Sequence, residues 1–212
     1  MKKKIALIGL GNIGMMYDYD KNSSYTLTYA TALQRSKKLD FIGAVDISKK
    51  KRELFEKKFK IKSFSTPKKL FEKIKPDIVV ISTPTNKHLD IIKELIKLKK
   101  NLVFICEKPL TKNFNTIMKL ESLVKKNKNK VYTNYMRLFD PKFLLLKKYF
   151  EENKKLNFFC EVFYNGTLLN SCSHYISLII TLFGNNYKIK IFKIKKNFCD
   201  FKLIYKNSEI YF

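Results

Sequence analysis

Arginine is scarce in this 212-residue chain, although the chain is strongly basic and carries a formal net charge of +26. Only Arg35, Arg52 and Arg137 are arginine among the 44 Lys and Arg residues. Proteins that read DNA bases favour arginine, because its guanidinium makes two parallel hydrogen bonds to a base edge. The lysines are spread over nearly every expected helix. We therefore interpret the charge as a solvated lysine-rich surface and expect no nucleic-acid partner, while a polyanion or an anionic substrate stays compatible with it.

The sequence also lacks the patterns of a disulfide framework, a metal centre and a membrane protein. Its four cysteines show no C-x-x-C pair and no metal-ligand spacing, which indicates free thiols in a reducing compartment. No apolar run is long enough to span a bilayer. The apolar run near the start is short, breaks at Gly9 and has no signal-peptide cleavage site. We therefore expect a cytoplasmic protein with no metal and no membrane partner.

The most informative stretch that is present covers residues 4–14, KIALIGLGNIG. Residues 5–8 are an unbroken apolar run, which is typical of a parallel strand buried on both faces. Three glycines follow at once in G-x-G-x-x-G spacing, the arrangement in which backbone approaches a pyrophosphate and the next helix packs close to the strand. An ordinary glycine-rich turn is the alternative. The context of strand and glycines predicts a dinucleotide site at Gly9, Gly11, Asn12, Ile13 and Gly14.

Asp46 ends the second predicted strand, at residues 41–45. A carboxylate at this place accepts hydrogen bonds from an adenosine ribose and repels a 2′-phosphate, which favours NAD over NADP. NADP stays open, because the basic residues 49–52 could attract that phosphate. A plain helix N-cap at Asp46 is the alternative, with Ser48 as its competitor. More residues separate Gly14 from Asp46 than in the usual fingerprint. We expect an interruption of the helix at residues 17–24 to account for the additional residues, and a helix at residues 25–36.

Strands and helices alternate up to about residue 134. The pattern predicts strands at 77–81, 102–106 and 131–133, and helices at 48–59, from Pro67, after a cap at Asn86, and at 111–124. It indicates an α/β fold, a Rossmann doubly wound parallel sheet whose ligands bind beyond the carboxyl ends of the strands. The polar segments expected at that edge also include Ser82, Thr83, Pro84, Asn86, His88, Glu107, Lys108 and Asn134.

The pattern changes after Asp140-Pro141. Residues 156–164, 187–195 and 198–205 alternate apolar with polar, as a sheet with one wet face does, and a phase slip at Ile191-Phe192 suggests a bulge. Residues 171–183 are apolar almost all round, which predicts a buried helix. We therefore expect two domains, a Rossmann domain at 1–134 and a smaller α+β domain with a mostly antiparallel sheet at 135–212.

Proton-transfer chemistry is suggested by a lysine and a histidine. Lys108 precedes a proline at a strand end, which makes a stiff, directed turn. His174 is one of only two histidines, and Asn170 precedes it at i, i+4 spacing on the same helix face. Such groups beside a nicotinamide could move a proton as hydride leaves carbon. The alternatives are a solvated lysine and a structural core histidine.

Several motifs in family order make the chain resemble the Gfo/Idh/MocA oxidoreductases, a family that includes glucose–fructose oxidoreductase and inositol dehydrogenase. The motifs are G-L-G-N-I-G at 9–14, A-V-D at 44–46, S-T-P-x-x-x-H at 82–88, E-K-P-L at 107–110, N-x-x-R-x-x-x-P at 134–141 and G-x-x-x-N-x-x-x-H at 166–174. The resemblance implies an NAD(P)-dependent oxidoreductase acting on a sugar, a cyclitol or a nucleotide sugar. It implies that Lys108 binds the reacting oxygen and that His174 is the acid/base, with Asn170 beside it as a third catalytic residue. It also implies that Arg137 and Asn170 join Lys108 and His174 in binding the substrate.

The sequence departs from the family pattern in two ways. Members usually carry Asp where this chain has Asn170, and they usually run well past the equivalent of Phe212. Their C-terminal sheet supplies substrate contacts and oligomer interfaces, so a homo-oligomer is expected here. Two further hypotheses stay open: a dinucleotide-binding protein without turnover, truncated or sensor-like, and a polyanion-binding protein.

Overall fold

A computed structural model describes residues 2–20, 25–153, 158–195, 198–206 and 208–212. The chain forms two compact units, Met1–Asn134 and Tyr135–Phe212. Among the described residues, no helix combines the length and the apolar character needed to cross a membrane.

A six-stranded parallel sheet forms the centre of the first unit. The strand order is β3-β2-β1-β4-β5-β6, so the order reverses between β1 and β4. In such a sheet the ligand crevice lies beyond the carboxyl ends of the strands at that reversal. The predicted Rossmann fold is confirmed. The strands are β1 (Lys3–Ile8), β2 (Leu39–Val45), β3 (Ser63–Phe64), β4 (Ile78–Ile81), β5 (Val103–Glu107) and β6 (Lys130–Asn134).

Five helices of this unit cover both faces of the sheet, because alternate residues of β1 point to opposite sides. Ile5 and Leu7 belong to one apolar cluster, with residues of α1 and α2, whereas Ala6 and Ile8 belong to another, with residues of α3, α4 and α5. Burying each large side chain contributes about 1.5–3 kcal/mol, so an unbroken apolar strand is stable only between two helix layers. The helices are α1 (Tyr29–Arg35), α2 (Lys49–Phe59), α3 (Pro67–Lys73), α4 (Thr85–Leu98) and α5 (Phe114–Lys126).

An insertion separates the glycine loop from α1. The Tyr29 amide donates to the Ile13 carbonyl at 3.1 Å, and the Ala30 amide donates to the Gly14 carbonyl at 2.9 Å. Tyr29 thus takes the place that a residue four positions after Ile13 has in an uninterrupted helix. With residues 17–28 left out of the count, about 20 residues separate Gly14 from Asp46, which is the usual fingerprint spacing. The helix begins at Tyr29, later than the predicted 25, and residues 21–24 of the predicted interruption lie outside the described residues.

Asp18 anchors the inserted segment. Its carboxylate is buried and accepts hydrogen bonds from the amides of Leu27 and Thr28, at 2.9 and 3.1 Å, and from the hydroxyls of Thr28 and Thr31, at 2.7 and 3.0 Å. Burial acts to raise the pKa of Asp18, but these hydrogen bonds outweigh it and hold the pKa below its ordinary value. The Lys58 ammonium donates to the Asp18 carbonyl at 3.1 Å and also to the Tyr19 carbonyl.

Two capping predictions had different outcomes. Ser48 caps α2, since its side chain accepts from the Lys51 amide, and Asp46 is therefore not the cap. The predicted cap at Asn86 is wrong, because α4 already begins at Thr85 after an extended Pro84, which places Asn86 inside the first turn.

The second unit contains a four-stranded sheet in the order β7-β10-β9-β8. Strand β10 pairs parallel with β7 and antiparallel with β9, and β8 pairs antiparallel with β9, so the predicted mostly antiparallel sheet is confirmed. The pairing register shifts between Ile191 and Lys193, as the predicted bulge requires. The elements are α6 (Pro141–Glu152), β7 (Phe158–Glu161), α7 (Ser173–Phe183), β8 (Lys188–Lys195), β9 (Phe198–Ile204) and β10 (Ser208–Tyr211), with a 3₁₀ helix at Met136–Phe139 and a π-helix at Leu168–Cys172.

The helix predicted at residues 171–183 is present as the end of the π-helix and α7, but it is more exposed than expected. Within α7, only Ile179 is buried, and it packs with Phe201, Leu203 and Ile210 of the sheet. A single helix on a four-stranded sheet buries only the face that contacts the sheet, so its flanks are open to solvent. The apolar sequence pattern does not distinguish this arrangement from a helix that is buried all round. Residues 156–157 of the first predicted strand lie outside the described residues.

Candidate functional site

The glycine loop combines two packed glycines with one that faces open space. Gly9 has φ +100°, and a Cβ on it would lie 2.8 Å from the Ser82 carbonyl carbon. A Cβ on Gly14 would lie 2.1 Å from the Gly9 carbonyl oxygen. A Cβ on Gly11 would meet nothing within 4 Å. Gly9 and Gly14 are therefore required by the fold, whereas Gly11 leaves its backbone open, as the close approach of a pyrophosphate requires.

Ser82 joins the end of β4 to this loop. Its amide donates to the Ile8 carbonyl, and its hydroxyl donates to the Gly9 carbonyl, each at 2.8 Å. The adjacent Thr83 hydroxyl is buried and has no hydrogen-bond partner among the described residues. An unsatisfied buried hydroxyl is costly, so it is a group that a bound ligand could satisfy.

Asp46 lies at the carboxyl end of β2, as predicted, and its carboxylate contacts the glycine loop. One oxygen accepts from the Leu10 amide at 2.8 Å and the other from the Ser48 amide at 2.8 Å. Each carboxylate oxygen has a further lone pair, so the group can still accept from a ribose hydroxyl. Arg52 of α2 turns back and donates to the carbonyls of Asp46 and Ile47, at 2.8 and 3.1 Å.

His88 lies beneath the site rather than in it. The ring is 1% exposed, with Nε2 at 2.7 Å from the Thr83 carbonyl oxygen and Nδ1 at 3.2 Å from the Pro109 carbonyl oxygen. It thus links the loop after β4 to the loop after β5. A neutral ring donates to one of these carbonyls, and only a protonated ring donates to both.

Glu107, Asn134 and Tyr29 form a hydrogen-bonded triad at the same edge of the sheet. Glu107 and Asn134 end neighbouring strands and are paired in register. The Tyr29 hydroxyl donates to Glu107 Oε1 at 2.6 Å, and Asn134 Nδ2 donates to the same oxygen at 3.0 Å and also to the Tyr29 hydroxyl. Burial, followed by the hydrogen bond and charge of Glu107, raises the pKa of Tyr29, so the hydroxyl keeps its proton.

Lys108 follows this triad directly, and its peptide bond to Pro109 is cis. Burial lowers the pKa of the Lys108 amino group, and the charge of Glu107 opposes that shift. Before it in β5, burial and Glu107 raise the pKa of the Cys106 thiol to about 12, so that cysteine is inert at neutral pH. A lysine with a lowered pKa is a better proton donor and acceptor near neutrality than an exposed one.

In the second unit, two aromatic contacts join residues 135–139 to α7. The Tyr135 ring meets the His174 ring edge to face at 5.7 Å between centroids, and the Arg137 guanidinium lies 5.3 Å from the Tyr175 ring centroid. Asn170 is exposed within the π-helix that precedes α7, where its amide donates to the Thr167 hydroxyl at 3.2 Å. π-helical turns occur frequently at functional sites.

The first unit thus brings the predicted residues of five separate segments to one edge of the sheet: the glycine loop, Asp46, Ser82 to Pro84, Glu107 with Lys108, and Asn134. Asn12 and Ile13 are exposed in the loop, and Asn86 is exposed in the first turn of α4. Arg137, Asn170 and His174 belong to the second unit. Tyr29 was missed, although the excess spacing between Gly14 and Asp46 was a signal that the helix resumes near residue 29. Within the described parts of the chain, no group of three or more His, Cys, Asp or Glu residues is placed to hold a metal ion.

Comparison with known proteins gives one family and several relatives. A model of the GFO_IDH_MocA family, described as an oxidoreductase family with an NAD-binding Rossmann fold, matches residues 3–135. The myo-inositol 2-dehydrogenase of Thermotoga maritima is 30% identical over 146 residues, which are 68% of this chain and 40% of that protein.

Two solved structures show the same fold over almost the whole chain. The WlbA dehydrogenase of Chromobacterium violaceum, in complex with NADH and UDP-GlcNAcA, has a TM-score of 0.78 at 15% identity and covers 99% of this chain and 66% of its own. The scyllo-inositol dehydrogenase of Lactobacillus casei, with NAD(H) and scyllo-inositol, has a TM-score of 0.77 at 14% identity. The match covers 100% of this chain and 69% of that one. The chain therefore spans two fifths of the length of the curated relative and about two thirds of these structures.

Proposed function

The chain belongs to the GFO_IDH_MocA oxidoreductase family, and we propose that it transfers a hydride between NAD and a secondary alcohol or ketone of a sugar, a cyclitol or a nucleotide sugar. The observation that carries the proposal is that five segments meet at the carboxyl edge of the parallel sheet, and that Gly11 in one of them leaves open space. The relatives named above support the substrate class, since two of them are named as inositol dehydrogenases and the third is in complex with a UDP-sugar.

The residues at the sheet edge fit a dinucleotide. Gly11 offers backbone without a side chain, and the unsatisfied Thr83 hydroxyl can bond to a ligand. We assign Asp46 to the adenosine ribose and expect NAD to bind more tightly than NADP, because a carboxylate repels a 2′-phosphate. Arg52 supports this choice, since its hydrogen bonds to backbone carbonyls turn it back toward the protein. A clear preference for NADP in calorimetric titrations with both cofactors would overturn the assignment.

We assign the binding of the reacting oxygen to Lys108 and the transfer of the proton to His174. The cofactor supplies the hydride acceptor or donor when it is bound. Lys108 would bind the reacting oxygen, which its ammonium can do as a hydrogen-bond donor, and His174 would exchange a proton with that oxygen. Arg137 and Asn170 would help to bind the substrate. His88 is given a positioning role instead of a direct contact, because its ring is buried between two loops.

One different function is favoured by a specific observation. Asn170 stands where family members usually carry Asp, and an amide at this position adds no charge that would stabilise a protonated His174. The alternative is a dinucleotide-binding protein that does not turn over.

The test compares binding with turnover. NAD affinity is measured by calorimetry, and the formation of NADH is followed by absorbance across a panel of inositols, sugars and UDP-sugars. The proposal expects both binding and turnover, and it expects Lys108→Ala to reduce turnover by ~10²-fold or more while cofactor affinity changes little. Binding without turnover on the whole panel would favour the alternative.

A further inference from the structure

We propose that Tyr29 is a positioning residue, whose hydroxyl fixes the Glu107 carboxylate and thereby the place of Lys108. The inference rests on the proposed function only for the role of Lys108 in the reaction. The geometry itself lies entirely within the first unit.

The hydroxyl of Tyr29 is placed by backbone that leaves it little freedom. Its amide continues the helical ladder from Ile13, and Thr28 before it caps α1 while bonded to the buried Asp18. Tyr29 is therefore held on its N-terminal side by the anchored insertion. Its ring reaches from α1 to the end of β5, and the hydroxyl meets Glu107 Oε1 at 2.6 Å.

Every side-chain donor proton of the triad has an acceptor within it. Tyr29 donates one proton to Glu107, and its oxygen accepts one from Asn134, which donates its second amide proton to Glu107. Two donors on Oε1 offset part of the carboxylate charge. Because Glu107 precedes Lys108 directly, a fixed carboxylate also restricts the backbone from which the lysine projects.

Removal of the hydroxyl has two effects on Lys108, and both act in the same direction. The looser segment admits water, which relieves the burial that lowers the pKa of the amine. The carboxylate also loses a donor, so that more of its negative charge acts on the ammonium. The pKa of Lys108 should therefore rise toward its ordinary value.

The test uses the full chain with Tyr29→Phe, and with Tyr19→Phe as the matched control. Tyr19 is also in the first unit, and its hydroxyl donates to the Leu54 carbonyl at 3.0 Å, away from the triad. Trace acetylation with acetic anhydride across a pH series, followed by peptide mass spectrometry, gives the titration midpoint of Lys108, with the exposed Lys112 as the internal reference. We expect a rise of about half a pH unit or more in Tyr29→Phe and none in Tyr19→Phe.

Steady-state kinetics provide the second readout. In Tyr29→Phe, kcat should fall by about 10-fold with KM and NAD affinity within about 3-fold, as for a misplaced reacting group. An unchanged Lys108 midpoint in Tyr29→Phe, or the same shift in Tyr19→Phe, overturns the inference. If the wild-type protein turns over none of the substrates but the midpoint shifts only in Tyr29→Phe, the proposed function fails and the positioning of Lys108 stands.

Discussion

At the scale of single residues, the pair Asn170 and His174 decides how well the proposed acid/base can work. A carboxylate one turn before a histidine stabilises its protonated form, whereas an amide adds no charge. His174 should therefore protonate less readily with Asn at position 170 than with Asp at the same position. This makes slow turnover the expected behaviour of the wild-type chain.

Asn170→Asp should raise the rate of turnover and shift the pH profile upward, because it restores that charge. His174→Ala should reduce turnover by ~10²-fold or more with little change in NAD affinity. Both are measured as the pH dependence of turnover, with the cofactor titrated in parallel. Full activity in His174→Ala would show that the histidine is structural.

Asp18 is the residue on which the insertion depends. Asp18→Asn keeps the shape of the side chain but replaces one carboxylate oxygen by an NH₂ group, which then faces amide and hydroxyl donors. The variant should therefore have a free energy of unfolding about 1–3 kcal/mol lower at pH 7. Urea denaturation measures the difference. Thr26→Ala serves as the control, since Thr26 lies in the same segment but bonds to the exposed Arg35.

The contribution of Asp18 to the free energy of unfolding should depend on pH in a known direction. The pKa of Asp18 is lower in the folded protein than in the unfolded chain, so its contribution is complete above the unfolded pKa near about 4 and is lost as the pH falls through the folded value. The stability difference between wild type and Asp18→Asn should therefore shrink below about pH 4. A difference that is constant with pH would mean that the carboxylate charge has no part in it.

At the scale of elements, the glycine loop separates folding from binding. Gly11→Ala adds a methyl group where the fold leaves open space, so the free energy of unfolding should stay within about 1 kcal/mol while NAD affinity falls by ~10-fold or more. Gly14→Ala would place its Cβ against the Gly9 carbonyl oxygen. Its loss in the free energy of unfolding should therefore be several-fold larger than that of Gly11→Ala. Thermal unfolding and calorimetric titration of both variants make the comparison. NAD binding that is unaffected in Gly11→Ala would remove the loop from the site.

At the scale of the whole molecule, strand β8 bears on self-association. It stands at the edge of its sheet, and Ile189, Ile191, Phe192 and Ile194 are each more than half exposed, at 58, 54, 51 and 69%. An exposed apolar edge favours pairing with another chain, although its alternating lysines oppose close approach.

We expect a homo-oligomer that forms through this strand and becomes more stable with added salt, which screens the lysines. Ile191→Lys should shift the protein toward monomer, whereas Tyr132→Lys, at an equally exposed strand position in the first unit, should not. Light scattering over a concentration series measures both. A monodisperse monomer of the wild-type chain at high concentration would contradict the expectation.

Local patterns were sufficient to predict the fold class and to predict which residues lie at the carboxyl edge of the sheet, where the candidate site is. Apolar runs of four or five residues, followed by glycine or by polar residues, identified β1, β2, β4 and β5, because a strand buried on both faces has few polar positions. The parallel order then places their carboxyl ends at one edge, so the residues that follow them could be named without a structure. Strand β3 has only two residues, which is too short to produce a pattern.

The sequence by itself determined the Rossmann fold, the glycine loop, Asp46 and the segment around Lys108, since each depends on residues close together in the chain. Only the tertiary structure decided that Tyr29 meets Glu107, that His88 joins two loops from below, and that Asn86 lies inside a helix. These outcomes depend on contacts between residues far apart in the chain, such as Tyr29 and Glu107. They also depend on the insertion held by Asp18, which brings Tyr29 into helical register with Ile13 across residues 17–28. No local sequence pattern predicts that register, because it is set by hydrogen bonds between residues that are far apart in the chain.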